Sequence, residues 1–408
     1  MAKPDRVDPS PPDLLPPWRT EARAALQAEA RAFARDVVMP LADELDPQKA
    51  EMPRTLIDRM AAKGWFGITI PAEQGGLGLG VFEYCLVSEE LARAWLSVGS
   101  ILARGQGLGT QTLDPERRRS LLEKSARGQW IGGIALSEPT AGSDLAGVQT
   151  RAVRDGDTWV LTGTKRWAGF AKAADFVEVL ARTRDPEPGE PRSAGLEPFL
   201  VVKEPGTFPP GMTGRVIDKI GYHGFLTFEL DLDGVRVPES DRLTGLYGDQ
   251  GADADSGGFA SVQRGLNIAR VHTAARAVGV ARAALEDTQA YLQEREQFGH
   301  PIGDFQALRF ALADMAADIA QARAFWNQVA HLLDAGEPAE SESAMVKLVC
   351  TEMAVRVTNQ AMQLHGGNGY TTERRVERYW RDARLTTIFE GTSEIQRRII
   401  SDRMLPKL

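Results

Sequence analysis

From Phe305 to Leu333, apolar residues recur at alternating spacings of three and four: Phe305, Leu308, Leu312, Met315, Ile319, Ala322, Trp326, Val329 and Leu333. Four heptads of this pattern predict one long helix with a continuous apolar seam. Such a helix cannot cover its seam alone, so the C-terminal part of the chain should be a helix bundle. Residues 258–297 and 341–365 read as two further long helices of that bundle. The spacing alone leaves open whether the seam meets only these neighbours or also a second copy of the chain.

Upstream the periodicity changes twice. Residues 18–130 read as mainly helical, with helices over 18–35, 54–64, 82–104 and 114–127. Pro71, Gly75 and Gly76 force a loop among them. Between 131 and 242, short apolar runs bounded by turns replace the helical pattern, at 131–136, 158–162, 176–180, 199–202 and 227–232. Asp155-Gly156-Asp157 is a hairpin turn between two of them. This stretch predicts a compact antiparallel β domain, a barrel or sandwich. Prolines at 4, 9, 11, 12, 16 and 17 predict a disordered arm over 1–17. The expected fold class is therefore α+β and multidomain: arm, helical domain 18–130, β domain 131–242 and helical bundle 243–408.

A net charge of −8 argues against a nucleic-acid partner. Two cysteines, Cys85 and Cys350, give no disulfide framework, and five scattered histidines have no metal-ligand spacing. No apolar run is long enough to span a bilayer, and residues 1–5 lack the apolar core of a signal peptide. A cytoplasmic location is expected.

Five stretches carry chemistry. Ala135 to Gly147 follows a strand and packs small and hydroxyl residues (Ser137, Gly142, Ser143) around a proline turn, where backbone N–H groups can face an anion. In Lys165-Arg166-Trp167-Ala168-Gly169, the indole is either a stacking surface for a flat cofactor or a core aromatic. Arg295-Glu296-Gln297-Phe298-Gly299 ends a long helix. Gln363 to Tyr370 holds Gly366, Gly367 and Gly369, more glycine than a helix stop requires. Finally, in Ile388-Phe389-Glu390-Gly391-Thr392, apolar neighbours and a glycine turn should desolvate Glu390. Desolvation should raise its pKa and suit it to act as a general base.

With these stretches in order, the chain resembles the acyl-CoA dehydrogenases, FAD flavoproteins that desaturate acyl thioesters. The resemblance spans about residues 20–405. It covers Ile70-Pro71 to Gly78, Ala135 to Gly147, Arg295 to Phe298, Gln363 to Tyr370 with Glu373, Arg378 and Asp382, and Phe389 to Thr392. It implies an N-terminal helical domain, a central β domain, a C-terminal four-helix bundle and a homotetramer, a dimer of dimers, working in fatty acid or acyl-CoA metabolism. Glu390 would remove the α-proton and the flavin N5 would accept the β-hydride. Leu136, Ser137, Gly142, Ser143, Trp167, Thr392 and Glu394 would contact the cofactor. Arg295, Gln297, Phe298, Gln363, Gly366 and Gly367 would reach FAD in the adjacent subunit. Asn267 and Arg270 would hold the CoA moiety, and Ser143, Phe389 and Gly391 the thioester end. An electron-accepting flavoprotein would be the redox partner.

The departures are as informative. Some relatives carry the base directly before the arginine matching Arg270; here that position is Ala269, so Glu390 has no competitor. Gly169 replaces the usual threonine whose hydroxyl bonds the flavin. Ser100 and Arg104 share a helix face that lines the deep end of the acyl pocket in the family. A cation there suits an acyl group with a polar or carboxylated far end, if Arg104 does not turn to solvent or to a local acid. The arginine of glutaryl-CoA dehydrogenases falls at Gly99. An acyl-carrier-protein-linked dehydrogenase, a flavin oxidase or a monooxygenase of the same fold are the alternatives, along with a non-catalytic subunit.

Overall fold

The computed structural model describes residues 14–243 and 257–405, the second segment with side chains from Gly265 onward. Six helices come first: α1 (Glu21–Phe33), α2 (Met39–Leu45), α3 (Arg54–Ala61), α4 (Val81–Ala94), α5 (Leu96–Ile101) and α6 (Pro115–Ala126). Side-chain caps set two of their starts. Thr20 accepts from the Arg23 N–H, and Asp114 from that of Arg117, with Pro115 at the first helical position. The expected single helix over 82–104 is two helices with a short 3₁₀ turn, Leu102–Arg104. Trp95 leaves the helical region (φ −157°, ψ 120°), and its buried indole lies against Gly224 of a later loop. Of the expected arm, residues 1–13 lie outside the described residues, whereas Leu14 is buried against the helical core.

The middle of the chain is one curled seven-stranded sheet: β1 (Gly132–Ala135), β2 (Arg151–Asp155), β3 (Thr158–Gly169), β4 (Phe176–Arg182), β5 (Leu196–Val202), β6 (Met212–Val216) and β7 (Thr227–Pro238). The order is β1-β4-β2-β3-β7-β6, with β5 on β4. The sheet is mixed where an antiparallel one was expected. β1 runs parallel to β4, from Gly132 opposite Phe176 to Ala135 opposite Val179, and β2 touches β4 in parallel at Arg151–Arg182. The β2–β3 hairpin intervenes in sequence between β1 and β4, giving the long connection a parallel pair needs.

The chain then returns to helices: α7 (Gly257–Glu294), α8 (Gln306–Asp334), α9 (Glu340–Leu364), α10 (Val376–Thr386) and α11 (Ser393–Met404), with a small hairpin of β8 (Glu296–Gln297) and β9 (His300–Pro301) after α7. The seam of α8 is buried from Met315 to Leu333, and half-buried at Phe305, Leu308 and Leu312. Helices on both sides of the sheet share one apolar core, which includes Trp65, Phe82, Trp95, Val278, Trp326 and Met353. The sheet keeps its own core around Trp159, Phe199, Phe228 and Leu230.

Charges cross the shared core. Arg282 of α7 pairs with Glu89 and, at 3.1 Å, with Glu90, both on α4. Arg323 of α8 approaches Glu89 to 3.0 Å, and the Trp326 indole N–H donates to it at 2.8 Å. Gln27 of α1 donates to Glu90 at 2.7 Å. Burial raises the Glu90 pKa, but Arg282 and Arg31 outweigh it and hold the carboxyl well below the usual range. One turn before Arg282, a Cβ on Gly279 would fall 2.2 Å from the Glu89 carbonyl oxygen, so α4 and α7 touch backbone to backbone. Breaking a buried pair by removing one partner costs about 3–5 kcal/mol. Glu89→Gln should therefore lower the thermal midpoint sharply, while Glu21→Gln on the exposed start of α1 should leave it unchanged; differential scanning calorimetry of both variants makes the comparison.

Candidate active site

On α7, Ala269, Thr273 and Arg276 stand at i, i+4 and i+7 and share a face. Opposite them is the loop between α10 and α11, which carries Glu390. Glu390 has φ 52° and Gly391 φ 87°, a left-handed pair that turns the carboxylate back toward α7. The turn is pinned at the Gly391 carbonyl, which accepts from Lys347 Nζ at 2.7 Å and Gln396 Nε2 at 3.0 Å. Both oxygens of Glu390 are engaged. Thr273 Oγ1 donates to Oε2, and Arg276 Nη2 donates to Oε1 at 2.8 Å. Arg276 also donates to the Thr273 hydroxyl at 2.7 Å and to the Ser100 hydroxyl.

The sequence led us to expect a raised pKa at Glu390, and the structure reverses this. Burial does push it up, but the charge of Arg276, the Thr273 and Arg276 hydrogen bonds and the charge of Arg104 outweigh burial and bring it below the ordinary value. Protein crowds the carboxylate on most sides, yet 32% of the side chain still faces an open cleft. Arg276 behind it is 1% exposed.

Three segments close the cleft around Glu390. The β6–β7 loop brings Tyr222, whose ring meets Phe389 edge-on at 5.5 Å and Phe225 at 4.7 Å. Lys219 anchors that loop through the carbonyls of Tyr222 (2.9 Å) and Phe225 (3.1 Å), and Asp382 accepts the Tyr222 N–H at 2.6 Å. The α5 turn brings Ser100 and Arg104. The end of β3 brings Gly169, where an added Cβ would sit 3.1 Å from the Phe225 ring and 3.4 Å from Arg104 Nη2. The two departures at Gly169 and Arg104 are thus one feature: the guanidinium fills space that a larger side chain at 169 would need.

Arg104 does not turn to solvent. Burial lowers its pKa, Tyr222 and Glu390 favour its charged form, and Arg276 opposes it. Nη1 is buried without a hydrogen-bond partner, and no carboxylate lies within ion-pair distance among the described residues. Glu178 on β4 is coupled to it more weakly, with burial raising that carboxyl to about 7 against the pull of Arg104.

The other expected residues fall into two sets. Leu136, Ser137, Gly142 and Ser143 lie on the loop after β1. Beneath that loop, buried Lys165 pairs with Glu138 at 2.9 Å and donates to the Leu136 carbonyl at 3.0 Å. Burial lowers Lys165 to about 8. A register shift between Lys165 and Ala168 turns Trp167 outward at φ 67°, with 55% of it exposed, so it is not a core aromatic. Thr392 caps α11 and borders a groove with Glu394, Thr387 and Ile388. Asn267 is buried on α7 and accepts from Arg270 at 2.8 Å. The second set lies at the far end of α7. The helix ends at Glu294, 18 residues and about 27 Å past Arg276, and Arg295 follows it. Phe298 there is 89% exposed, as are Gln297, Gln363, Gly366 and Gly367 in large part. His365 and Asn368 pack on Tyr291 beside them. One chain therefore does not bring Arg295 to Glu390.

Sequence reasoning missed Thr273, Arg276, Tyr222, Glu178 and Lys347. For Arg276 a signal was present: a lone cation in Ala274-Ala275-Arg276-Ala277-Val278, on the same face as Ala269. For Tyr222 and Glu178, which come from a loop and a buried strand, no pattern marks the side chain as facing the cleft.

Three family models match consecutive parts of the chain: acyl-CoA dehydrogenase N-terminal domain over residues 20–129, middle domain over 133–235 and C-terminal domain over 256–405. The chain belongs to the acyl-CoA dehydrogenase family. This acyl-CoA dehydrogenase is 38% identical over 388 residues to (2S)-methylsuccinyl-CoA dehydrogenase of Cereibacter sphaeroides, covering 93% of this chain and 69% of that one. It is 37% identical to benzylmalonyl-CoA dehydrogenase of Aromatoleum aromaticum, covering 94% and 97%. Among solved structures it superposes on a glutaryl-CoA dehydrogenase of Mycobacterium smegmatis in complex with FADH2, with a TM-score of 0.85, 28% identity and 96% of each chain covered. It is an oxidoreductase acting on the CH–CH group of acyl-CoA thioesters, and FAD is its cofactor. The surface here suits that cofactor. The Trp167 indole is exposed, and at Gly142 on the loop after β1 an added Cβ would meet nothing within 4 Å; Gly366 and Gly367 are equally open at the far end of α7. No helix among the described residues is long and apolar enough to cross a membrane.

A half-buried cation whose Nη1 finds no hydrogen-bond partner is unfavourable for folding. Arg104→Met should raise the stability of the substrate-free enzyme by about 1 kcal/mol, as loss of a strained functional group commonly does. Urea unfolding of the two proteins is the measurement, and a destabilised Met variant would show that Arg104 is structurally paired.

Proposed function

We propose that this enzyme desaturates a short acyl-CoA whose acyl group carries a carboxylate at its far end, with Glu390 as the base. The observation that supports this most is the unpartnered Arg104 guanidinium in the cleft that holds Glu390. The acyl groups named for the relatives above, methylsuccinyl, benzylmalonyl and glutaryl, are all dicarboxylic.

In this reading Glu390 takes the α-proton of the thioester, and the released C–H pair becomes the Cα=Cβ bond. FAD, when bound, supplies the acceptor for the β-hydrogen, which leaves as hydride to N5. The Glu390 backbone N–H helps polarise the thioester carbonyl, which the weakly acidic α-C–H requires. Phe389, Gly391 and Ser143 surround the thioester, Ser100 and Arg104 meet the far end of the acyl group, and Asn267 with Arg270 hold the CoA moiety. Leu136, Ser137, Gly142, Ser143, Trp167, Gly169, Thr392 and Glu394 cradle the cofactor of the same chain. Arg295, Gln297, Phe298, Gln363, Gly366 and Gly367 serve the cofactor of a neighbouring subunit. The separation of Arg295 from Glu390 along α7 and the bare ring of Phe298 support this. We assign the enzyme a homotetrameric assembly, a cytoplasmic location and an electron-accepting flavoprotein as partner.

Anaerobic bleaching of the bound flavin by a panel of acyl-CoAs tests the reading. Glu390→Gln should retain flavin and slow bleaching by on the order of 10²–10⁴-fold, the usual contribution of a positioned base. Unchanged bleaching would reject the base assignment. Arg104→Ala should lose preference for dicarboxylic over straight-chain acyl-CoAs; equal preference in both proteins would remove the carboxylate from the reading.

A further inference from the structure

The role of Arg276 rests on the reading of Glu390 as the base. Glu390 is held as a reservoir of charge, with each oxygen bonded to α7. A carboxylate in that state is ionised but weakly basic, and freeing an oxygen for an α-proton means breaking one of these contacts. Arg276 cannot be left behind alone. Its guanidinium is buried, its remaining partners are neutral, the hydroxyls of Ser100 and Thr273 and the His272 carbonyl at 3.4 Å, and its contact with the Phe389 ring is at 5.1 Å. An unpaired buried cation would oppose the movement of Glu390.

The charge inventory shows what can relieve this. Around Glu390 stand Arg276 and Thr273 on α7, Arg104 after α5, Tyr84 on α4, Tyr222 on the β6–β7 loop and Lys347 on α9. Tyr84 and Tyr222 are held neutral by burial, and burial lowers Lys347 to about 8. Two guanidiniums thus share one ionised carboxylate, with Glu178 the more distant acid. Ser100 bonds Arg276, and Arg104 on the following 3₁₀ turn feels the Arg276 charge, so the two guanidiniums lie on the same side of the site. With Lys347 still mostly protonated near neutral pH, the site carries more positive than negative charge.

We propose that Arg276 is an exchange clamp: it holds Glu390 in the substrate-free enzyme and passes to the carboxylate of the acyl group, so that only an acyl group bringing its own anion releases the base. Arg104 draws the substrate carboxylate in, and Arg276 couples its arrival to Glu390. Arg276 is a positioning residue. It makes selectivity for a carboxylated acyl group appear in the chemical step as well as in binding. Because Arg276 reaches Glu390 directly, the substrate carboxylate must lie only a few bonds from the reacting carbons, which assigns short dicarboxylic acyl-CoAs as the substrate class.

The test compares a short dicarboxylic acyl-CoA with its terminal amide on the FAD-loaded enzyme, by stopped-flow flavin bleaching under anaerobic conditions. In the wild type the saturating rate should favour the carboxylate by roughly 100-fold, about what the loss of one buried charge contact implies. In Arg276→Gln the gap in saturating rate should shrink to within about threefold, mainly because the amide reacts faster, while the KM gap set by Arg104 persists. Arg276→Lys should restore the rate gap. The acid limb of the amide reaction should move to higher pH in Arg276→Gln, since the largest charge holding Glu390 down is gone. A readout free of turnover is calorimetric binding of a non-oxidisable thioether analogue of the dicarboxylic substrate in two buffers of different ionisation heat. Proton uptake is expected on binding to the wild type and none with Glu390→Gln. A saturating-rate gap unchanged by Arg276→Gln, or an absence of proton uptake, overturns the clamp. If neither acyl-CoA bleaches the wild-type flavin, the dehydrogenation reading fails first and the clamp with it.

Discussion

The buried meeting of Glu89 and Glu90 with Arg282 fixes the relation between the two ends of the chain. Apolar packing alone would let α4 slide along α7, because dispersion contacts are many and non-directional. A charged pair taken out of water tolerates no such freedom, and Gly279 brings the backbones close enough to lock the register. Everything that α7 presents on its next turns then has a defined place. Arg276 stands two turns before the ion pair, and Thr273 and Arg270 precede it on the same helix. The position of Ser100 relative to Arg276 follows from the α4–α5 corner at Trp95, which belongs to the same packed unit.

The cleft itself is assembled under strain. Among the described residues, seven non-glycines have positive φ; Tyr222 and Glu390 line it, and Trp167 and Phe170 lie within two residues of Gly169. Left-handed backbone costs a non-glycine residue about 1 kcal/mol or more, so these conformations persist because neighbouring contacts hold them. For Tyr222 the contacts are Asp382 and Lys219; for Glu390 they are Thr273 and Arg276. The same hydrogen bonds that enforce the geometry also lower the pKa of Glu390, so precision of placement and basicity pull against each other.

How much of this was legible in the sequence depends on what kind of information each feature needs. The α8 seam and the alternation in β7 are local periodicities, and both stood out. The motif at 389–392 singled out Glu390, since its residues are contiguous. The mixed pairing of β1 was not legible, because parallel neighbours are joined only through long connections. The basicity of Glu390 was misjudged for a related reason. Its neighbours in sequence are apolar, but its neighbours in space are Arg276, more than a hundred positions earlier, and Arg104, earlier still. Trp167 read as a plausible core aromatic until the bulge in β3 turned it outward. Gly169 and Arg104 each looked anomalous alone, and only their contact through space explains one by the other.

The shared core of the helices has a temporal consequence. Synthesis delivers α1 to α6 first, then the sheet, and α7 to α9 only afterwards. Trp65, Phe82 and Trp95 are completed by Val278, Trp326 and Met353, more than 180 residues later. The carboxylates of α4 likewise have no arginine to meet until Arg282 emerges. The sheet, with a core of its own, can close while the chain is still growing, whereas the leading helices must wait with apolar surface uncovered. While it grows, the chain is therefore most exposed to misassembly at α1–α6, and the helices made after the sheet relieve those made before it.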